Sequence, residues 1–67
     1  MTIFYNDIPL EVPKEIITLA QLAAWKNIPD QGSAIALNDK LIKKELWSVT
    51  NFNNLDRITV ITAAYGG

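Results

Sequence analysis

The chain has 67 residues, a formal net charge of −1 and a hydrophobic content of 49%, which suits one small domain with a single core. It contains no cysteine and no histidine, so disulfides, thiolate or imidazole metal sites and Ser-His or Cys-His catalysis are excluded. Six basic and seven acidic residues give no basic surface for nucleic acid, and no apolar segment is long enough to span a membrane. We therefore expect a cytoplasmic protein.

Two short alternating segments at the start of the chain predict a β-hairpin. Apolar residues recur at every second position in residues 3–5 and again in residues 8–12, which is the period of a strand with one buried face. Asn6 and Asp7, between the segments, tolerate the positive φ of a two-residue turn. Pro9 has no N–H to donate, so the second strand is predicted at an edge of the sheet and the first strand inside it.

A helix is predicted next. Thr18 and Gln21 have the spacing of a capping box, and Asn27 can adopt the left-handed conformation that closes a helix. We expect a helix of about three turns between these signals. The residues that recur at helical spacing, and that we expect to be buried, are Leu19, Leu22 and Ala23.

The second half of the chain predicts two more strands and a helical turn. Residues 34–38 alternate as a third strand, and a second Asn-Asp pair at 38–39 predicts a turn into a short fourth strand at 41–42. Residues 45–49 predict one helical turn whose Trp47 covers the core. The nearby lysines are interpreted as a solvated rim, with docking of an acidic partner as the alternative; they are Lys40, Lys43 and Lys44.

The last strand begins near Arg57, because β-branched residues crowd positions 58–62. A helix between a hairpin and a later strand covers one face of a single sheet, and a right-handed crossover places the last strand beside the first and parallel to it. The predicted fold is α+β, a β-grasp (ubiquitin-like) domain with a mixed sheet of four to five strands and one main helix packed on one face. We expect a single domain over residues 1–67, with residues 64–67 as a flexible C-terminal tail.

The chemistry of this tail is that of its α-carboxylate. After Arg57 no side chain is charged, and glycines at the tip allow the backbone to enter a narrow channel. The α-carboxylate of Gly67 is therefore the candidate functional group. Gly66 and Tyr65 are the residues that we expect to thread into a partner.

The alternation of the strands also predicts a docking surface. Ile58 and Val60 must face the helix if the core is to close, so the residues between them face the other side of the sheet. No predicted helix covers that side, and exposed apolar patches on small domains mark partner sites. The predicted partner-docking residues are Phe4, Ala36, Ile61 and Ala63. The alternative is that Tyr65 or the Trp47 segment folds over them.

An ordered set of residues along the whole chain resembles one family. The set comprises residues 1–3 with the Asn6-Asp7 turn, residues 18–22, residues 34–39, Trp47, residues 56–58 and the terminal Gly66-Gly67. It resembles the ThiS family, the ubiquitin-like sulfur carrier proteins of thiamine biosynthesis.

This resemblance implies a cosubstrate protein rather than an enzyme. It implies that Gly67 is adenylated by a ThiF-type enzyme, which uses ATP, and is converted to a thiocarboxylate. The thiocarboxylate then gives its sulfur to thiazole synthase, ThiG, for the thiazole ring of thiamine. The implied partners are these two enzymes and a sulfur donor protein, and the chain itself is expected to bind no cofactor and no metal.

Two positions depart from the family pattern. Residues 42–44 read Ile-Lys-Lys where the family commonly has Val-Pro-Arg, and Leu55 replaces the usual glycine of the turn before the last strand. A non-glycine residue in the left-handed conformation costs roughly 1–2 kcal/mol. We therefore expect Asn53 or Asn54 to adopt that conformation, or the turn to change type.

Other functions share the same tail. The small subunit of molybdopterin synthase and other ubiquitin-like sulfur carriers or modifiers have the fold and the Gly-Gly end. A plain β-grasp interaction module, in which the glycines are incidental, is the alternative from another class. The short length favours the thiamine carrier, and a neighbouring gene for thiazole synthase would distinguish it from the molybdopterin protein.

Overall fold

The computed structural model of the chain describes residues 1–29 and 31–62. Within this part of the chain, five strands form one sheet, and an α-helix and a 3₁₀ helix lie in the connections. In chain order the elements are β1 (Thr2–Tyr5), β2 (Ile8–Glu11), α1 (Leu19–Trp25), β3 (Ser33–Leu37), β4 (Lys40–Ile42), the 3₁₀ helix (Lys44–Val49) and β5 (Arg57–Thr62). Neither of these two helices has the length and hydropathy needed to cross a membrane.

The strand order is β2-β1-β5-β3-β4. The last strand, β5, is central: it runs parallel to β1 on one side and antiparallel to β3 on the other. The pairs β1–β2 and β3–β4 are antiparallel hairpins, and Pro9 lies in the edge strand β2, as predicted. Together with α1, this mixed sheet confirms the predicted β-grasp architecture.

Both Asn-Asp turns adopt the predicted conformation and also hold the central strand. Their φ angles are 49° and 68° in the first hairpin and 50° and 71° in the second, which is the geometry of a turn with positive φ at both central residues. The Oδ1 atom of Asn6 accepts from the N–H of Val60 at 2.7 Å, and that of Asn38 accepts from the N–H of Arg57 at 2.8 Å. Each turn therefore anchors β5 as well as its own hairpin.

The start of α1 confirms the predicted capping box. The N–H of Gln21 donates to the Thr18 hydroxyl at 3.2 Å, and the Gln21 side-chain oxygen accepts from the N–H of Thr18 at 3.0 Å. The same oxygen accepts from the N–H of Ile17 at 2.7 Å. One glutamine side chain thus binds the N–H of the N-cap residue and that of the residue before it.

The predicted length of the helix is wrong, because α1 has 7 residues, or about two turns. Asn27 takes the left-handed conformation as expected, with φ of 56°, but the chain leaves the helix before it. The N–H of Ile28 donates to the carbonyl of Ala23 at 2.8 Å, and the N–H of Asn27 donates to that of Ala24 at 3.3 Å. These two bonds form a Schellman motif, which ends the helix after Trp25.

The core lies between α1 and one face of the sheet. It contains the predicted helix residues together with one inward residue from each of the three inner strands, and Trp47 covers it while donating its indole N–H to the carbonyl of Ile42 at 3.1 Å. Phe52, in the loop before β5, is also buried, although the sequence analysis assigned it no role. The buried side chains are Ile3, Val12, Leu19, Leu22, Ala23, Ile35, Trp47, Phe52 and Ile58.

The turn before β5 contains the left-handed residue that the sequence analysis placed wrongly. Leu55 itself has φ of 71°, and Asn53 and Asn54 have negative φ. The reason is that Leu55 and Asn54 are both hydrogen-bonded to Thr2 of β1. The N–H of Leu55 donates to the carbonyl of Thr2 at 2.6 Å, and the side-chain oxygen of Asn54 accepts from the N–H of Thr2 at 2.9 Å. These hydrogen bonds to β1 fix the turn, so Leu55 is held in the left-handed conformation despite its steric strain.

Leu55→Gly is expected to stabilise the domain. The side chain is 59% exposed, so little burial is lost. Removal of the β-carbon relieves roughly 1–2 kcal/mol of strain in the folded chain. The greater backbone entropy of glycine in the unfolded chain offsets about 0.5–1 kcal/mol of this gain. We expect a net gain of about 0.5–1 kcal/mol in the free energy of unfolding, measured by urea titration. Leu55→Ala keeps the β-carbon and is the control. Equal stabilities of the glycine and alanine variants would show that the β-carbon of residue 55 causes no strain.

Glu11 connects the edge strand to the chain start. The Thr2 hydroxyl donates to one oxygen of its carboxylate at 2.7 Å, and the Met1 ammonium lies 3.3 Å from the other. The Thr2 hydrogen bond, followed by the contact and charge of the ammonium, lowers the pKa of Glu11 below its ordinary value of 4.5. The favoured state in the folded protein is therefore the ionised one.

The lowered pKa of Glu11 predicts a pH dependence of stability. Because the pKa in the folded chain lies below that in the unfolded chain, the stabilisation is present above the unfolded pKa and is lost as the pH falls through the folded pKa. Unfolding midpoints measured from pH 6 down to pH 3, about the range that contains the ordinary pKa of glutamate, should therefore fall more steeply for the natural chain than for Glu11→Gln. Parallel curves for the two proteins would contradict a role of this carboxylate.

Candidate functional site

The candidate site is built on β5 and on the sheet face that surrounds it. The described part of this strand ends at Thr62, which pairs with Ser33 of β3. The predicted tail, residues 64–67, lies outside the described residues. So do the predicted docking residue Ala63, the predicted threading residues Tyr65 and Gly66, and the predicted sulfur-carrying residue Gly67.

The start of β5 is held from both sides. On the β1 side, the N–H of Phe4 donates to the carbonyl of Asp56 at 2.9 Å and the N–H of Asn6 donates to the carbonyl of Ile58 at 2.9 Å. On the β3 side, the N–H of Asn38 donates to the carbonyl of Arg57 at 2.7 Å. The strand that leads to the tail is therefore bonded along both edges near its start, and at its end Thr62 pairs with Ser33 of β3.

The two faces of β5 differ as the alternation predicts. Ile58 is completely buried, and Val60 packs against the core cluster. Ile61 is 61% exposed although it is a large apolar residue. The strand thus contributes Ile58 and Val60 to the core, and Thr59 and Ile61 to the opposite face, which we call the outer face.

Strand register brings Phe4 and Ala36, two of the predicted docking residues, onto this outer face. Ala36 pairs with Thr59, and Phe4 pairs with Arg57, so all of them point to the same side as Ile61. Phe4 and Ala36 are partly buried. The arrangement is a shallow apolar surface whose most exposed member is Ile61, at the end of β5 that leads to the tail.

Two further apolar residues lie on the outer face and were missed by the sequence analysis. Ala34 pairs with Ile61, and Leu41 of β4 pairs with Ala36; Leu41 is 67% exposed. The signal that could have found them is the second Asn-Asp turn. A two-residue turn sets the pairing of the strands that flank it, and counting back from it places Leu41 opposite Ala36.

One ion pair lies at the base of this surface. The Arg57 guanidinium donates to the carboxylate of Asp39, and the two side chains are 52% and 74% exposed. An exposed pair of this kind contributes little to stability. It does compensate the charge of Arg57, so this guanidinium is not an isolated cation on the outer face.

Comparisons with known proteins agree on the family. The model of the ThiS family matches residues 3–67. Among solved structures, the crystal structure of the thiamine biosynthesis protein ThiS from Geobacter metallireducens superposes with a TM-score of 0.84 at 17% identity and covers 100% of both chains. A search of curated proteins finds no match. Because the family model spans nearly the whole sequence and the fold agrees, the chain belongs to the ThiS family.

Proposed function

We propose that this chain is a ubiquitin-like sulfur carrier whose C-terminal Gly67 is adenylated and converted to a thiocarboxylate, which donates sulfur for the thiazole ring of thiamine. The observation that carries the proposal is the central position of β5 in a member of the ThiS family. Gly67 lies five positions beyond Thr62, the last described residue of this strand. Five residues span at most about 17–18 Å when extended, so Gly67 stays within reach of a partner that docks on the sheet.

Loading of Gly67 with sulfur requires two partners. A carboxylate is a poor electrophile, so one of its oxygens first attacks the α-phosphorus of ATP, forming an acyl adenylate and releasing pyrophosphate. A sulfide nucleophile then attacks the carbonyl carbon, and AMP leaves with that oxygen. The ThiF-type enzyme supplies the ATP site, a sulfur donor protein supplies the sulfur, and the chain supplies the carboxyl group.

The composition of the tail suits a carrier. No lysine, cysteine or histidine follows Arg57, so no amine, thiol or imidazole side chain of the tail can capture the acyl adenylate or hydrolyse the thiocarboxylate. Tyr65 and Gly66 precede the reacting residue, and the glycine allows close approach of a partner's backbone. In this proposal they thread into the active sites of the adenylating enzyme and of thiazole synthase.

The outer face is the proposed docking surface for these enzymes. Its described apolar members are the predicted Phe4, Ala36 and Ile61 together with Ala34 and Leu41, and Ala63 is proposed to continue it. A partner bound there holds the base of the tail while the last residues enter its active site. In this arrangement the contacts that provide the binding energy lie on the outer face, far from the reacting carboxyl group.

Intact mass spectrometry tests the function. The purified chain is incubated with the ThiF-type enzyme, ATP and sulfide, and we expect a gain equal to the replacement of one oxygen by sulfur, localised to Gly67 by fragmentation. Addition of thiazole synthase and its other substrates should return the mass to that of the carboxylate. A mass that stays unchanged with an enzyme shown to be active on ATP would refute the proposal.

Ile61→Glu is expected to weaken binding to both enzymes. The substitution removes an apolar contact and leaves an unpaired carboxylate in the interface. We therefore expect the Kd to rise about tenfold to a hundredfold, equivalent to roughly 1.4–3 kcal/mol of binding free energy. Calorimetric titration measures it, with a thermal melt to check folding. Val49→Glu is the matched control, because Val49 is 73% exposed in the 3₁₀ helix and is not on the outer face. Equal losses in the two variants would contradict the docking surface.

A further inference from the structure

The open edge of the sheet at β4 combines an exposed apolar residue with positive charge. Leu41 is 67% exposed, and it lies between Lys40 and Lys43, which are both exposed. Residues 40–44 contain three lysines and no acidic residue, although the whole chain has only six basic residues. Half of the positive side chains of the protein are therefore concentrated in five consecutive positions.

The geometry places this edge next to the outer face. In the β3–β4 hairpin, Leu41 pairs with Ala36, which directs Leu41 to the outer face. Lys40 pairs with Leu37, which packs against the core, so Lys40 points to the other side of the sheet. Lys43 directly follows the end of β4 and is exposed. The apolar surface around Ile61 thus continues to a basic margin at β4.

The opposite margin of the sheet has no such excess of charge. Glu11 lies in the other edge strand, β2, and the Met1 ammonium, 3.3 Å from its carboxylate, compensates its charge. Between the two margins, Arg57 is likewise compensated by Asp39. A partner lying across the outer face therefore meets a concentration of positive charge at β4 alone among the described margins.

We propose that β4 receives an acidic segment of the adenylating enzyme, with an apolar side chain of that segment packed on Leu41 and a carboxylate facing Lys43 at the end of the strand. This inference rests on the proposed function. The adenylating enzyme is the proposed partner because the carboxylate form of the chain must bind it before any sulfur is transferred. The charge asymmetry orients the encounter, since complementary potentials act mainly on the association rate and on the register of docking.

A second explanation of the lysines makes a different prediction. Charged side chains on a short edge strand prevent pairing with other sheets, and glutamate serves that purpose as well as lysine. If protection of the edge is their only role, reversing the charge leaves the association rate unchanged. If they meet carboxylates of the enzyme, reversal slows association strongly.

The test compares Lys43→Glu with Lys14→Glu by stopped-flow association with the ThiF-type enzyme. Both substitutions change the net charge equally, and Lys14 lies in the connection between β2 and α1. At low ionic strength we expect Lys43→Glu to lower the association rate constant about tenfold or more, and Lys14→Glu by less than about twofold. Raising the salt to about 0.5 M should bring the natural chain and Lys43→Glu close together.

The readouts separate this inference from the function on which it rests. Lys43→Glu should still acquire sulfur to the full extent at saturating enzyme, because the reacting carboxyl is untouched. Equal association rates of the natural chain and Lys43→Glu, or equal slowing in both lysine variants, would overturn the inference while sulfur loading of the natural chain stands. Failure of the natural chain to acquire sulfur would instead overturn the proposed function.

Discussion

One alanine added after Gly67 is expected to abolish sulfur loading without changing the fold. The extra residue moves the terminal carboxylate by about 3.3–3.6 Å, and acyl activation requires the attacking oxygen and the α-phosphorus of ATP to lie within about 3–3.5 Å of each other in a defined orientation. Deletion of Gly67 displaces the carboxylate in the opposite direction and should have the same effect. Intact mass after incubation with the adenylating enzyme, ATP and sulfide measures the loaded fraction, which we expect to fall by at least about a hundredfold.

The control for this prediction is a substitution that changes the tail without moving its end. Ala64→Ser keeps the length and the small size of its position, and it should be loaded at a rate close to that of the natural chain. Thermal melts of all the variants should coincide, because none of them alters a described core residue. Loading of the extended chain at the natural rate would show that the enzyme does not measure the position of the terminal carboxylate.

Ile58→Ala is expected to remove most of the stability of the domain. Ile58 is completely buried in the central strand, and truncation of a buried isoleucine to alanine costs about 2–5 kcal/mol. A domain of this length has a total free energy of unfolding of about 3–10 kcal/mol. The variant should therefore be partly unfolded at 37 °C, as measured by circular dichroism and urea titration.

Ile61→Ala is the matched control, since it removes the same atoms from the same strand on the opposite face. Its side chain is largely exposed, so the change in the free energy of unfolding should stay within about 0.5 kcal/mol. A reversed order of the two effects would mean that the strand has the opposite register, with Ile61 in the core. The outer face would then lose its most exposed apolar member.

Local signals predicted the parts of the fold that depend on neighbouring residues. The capping box at Thr18 and Gln21, both Asn-Asp turns and the alternation of β5 all involve groups only a few positions apart, and each was confirmed. The edge position of β2 followed from the missing N–H of Pro9 alone. These features could be predicted because the sequence itself brings the interacting groups together.

The errors concern contacts between distant residues. The left-handed conformation falls on Leu55 because β1, more than fifty positions away, fixes the hydrogen bonds around it. Phe52 is buried because its loop runs beside the segment before α1, where its N–H donates to the carbonyl of Ile17 at 3.2 Å. No local pattern indicates the conformation of Leu55 or the burial of Phe52. Leu41 differs, because the Asn-Asp turn at residues 38–39 sets its pairing with Ala36 and could have placed it on the outer face. The helix was predicted too long because Asn27 is the left-handed residue of the Schellman motif, two positions beyond the last helical residue.

The parallel pairing of the first and last strands has a mechanical consequence. A force that acts on Thr62 along β5, as a partner would exert when it draws the terminus into its active site, is directed along the strand axis. It loads the hydrogen bonds to β1 and β3 in shear, so that they must fail together, whereas a force across a strand would open them one after another. With bonds on both edges and Ile58 locked in the core, β5 resists traction better than either edge strand would. This resistance to traction along the strand suits the proposed carrier, whose C-terminus two different enzymes would draw into their active sites.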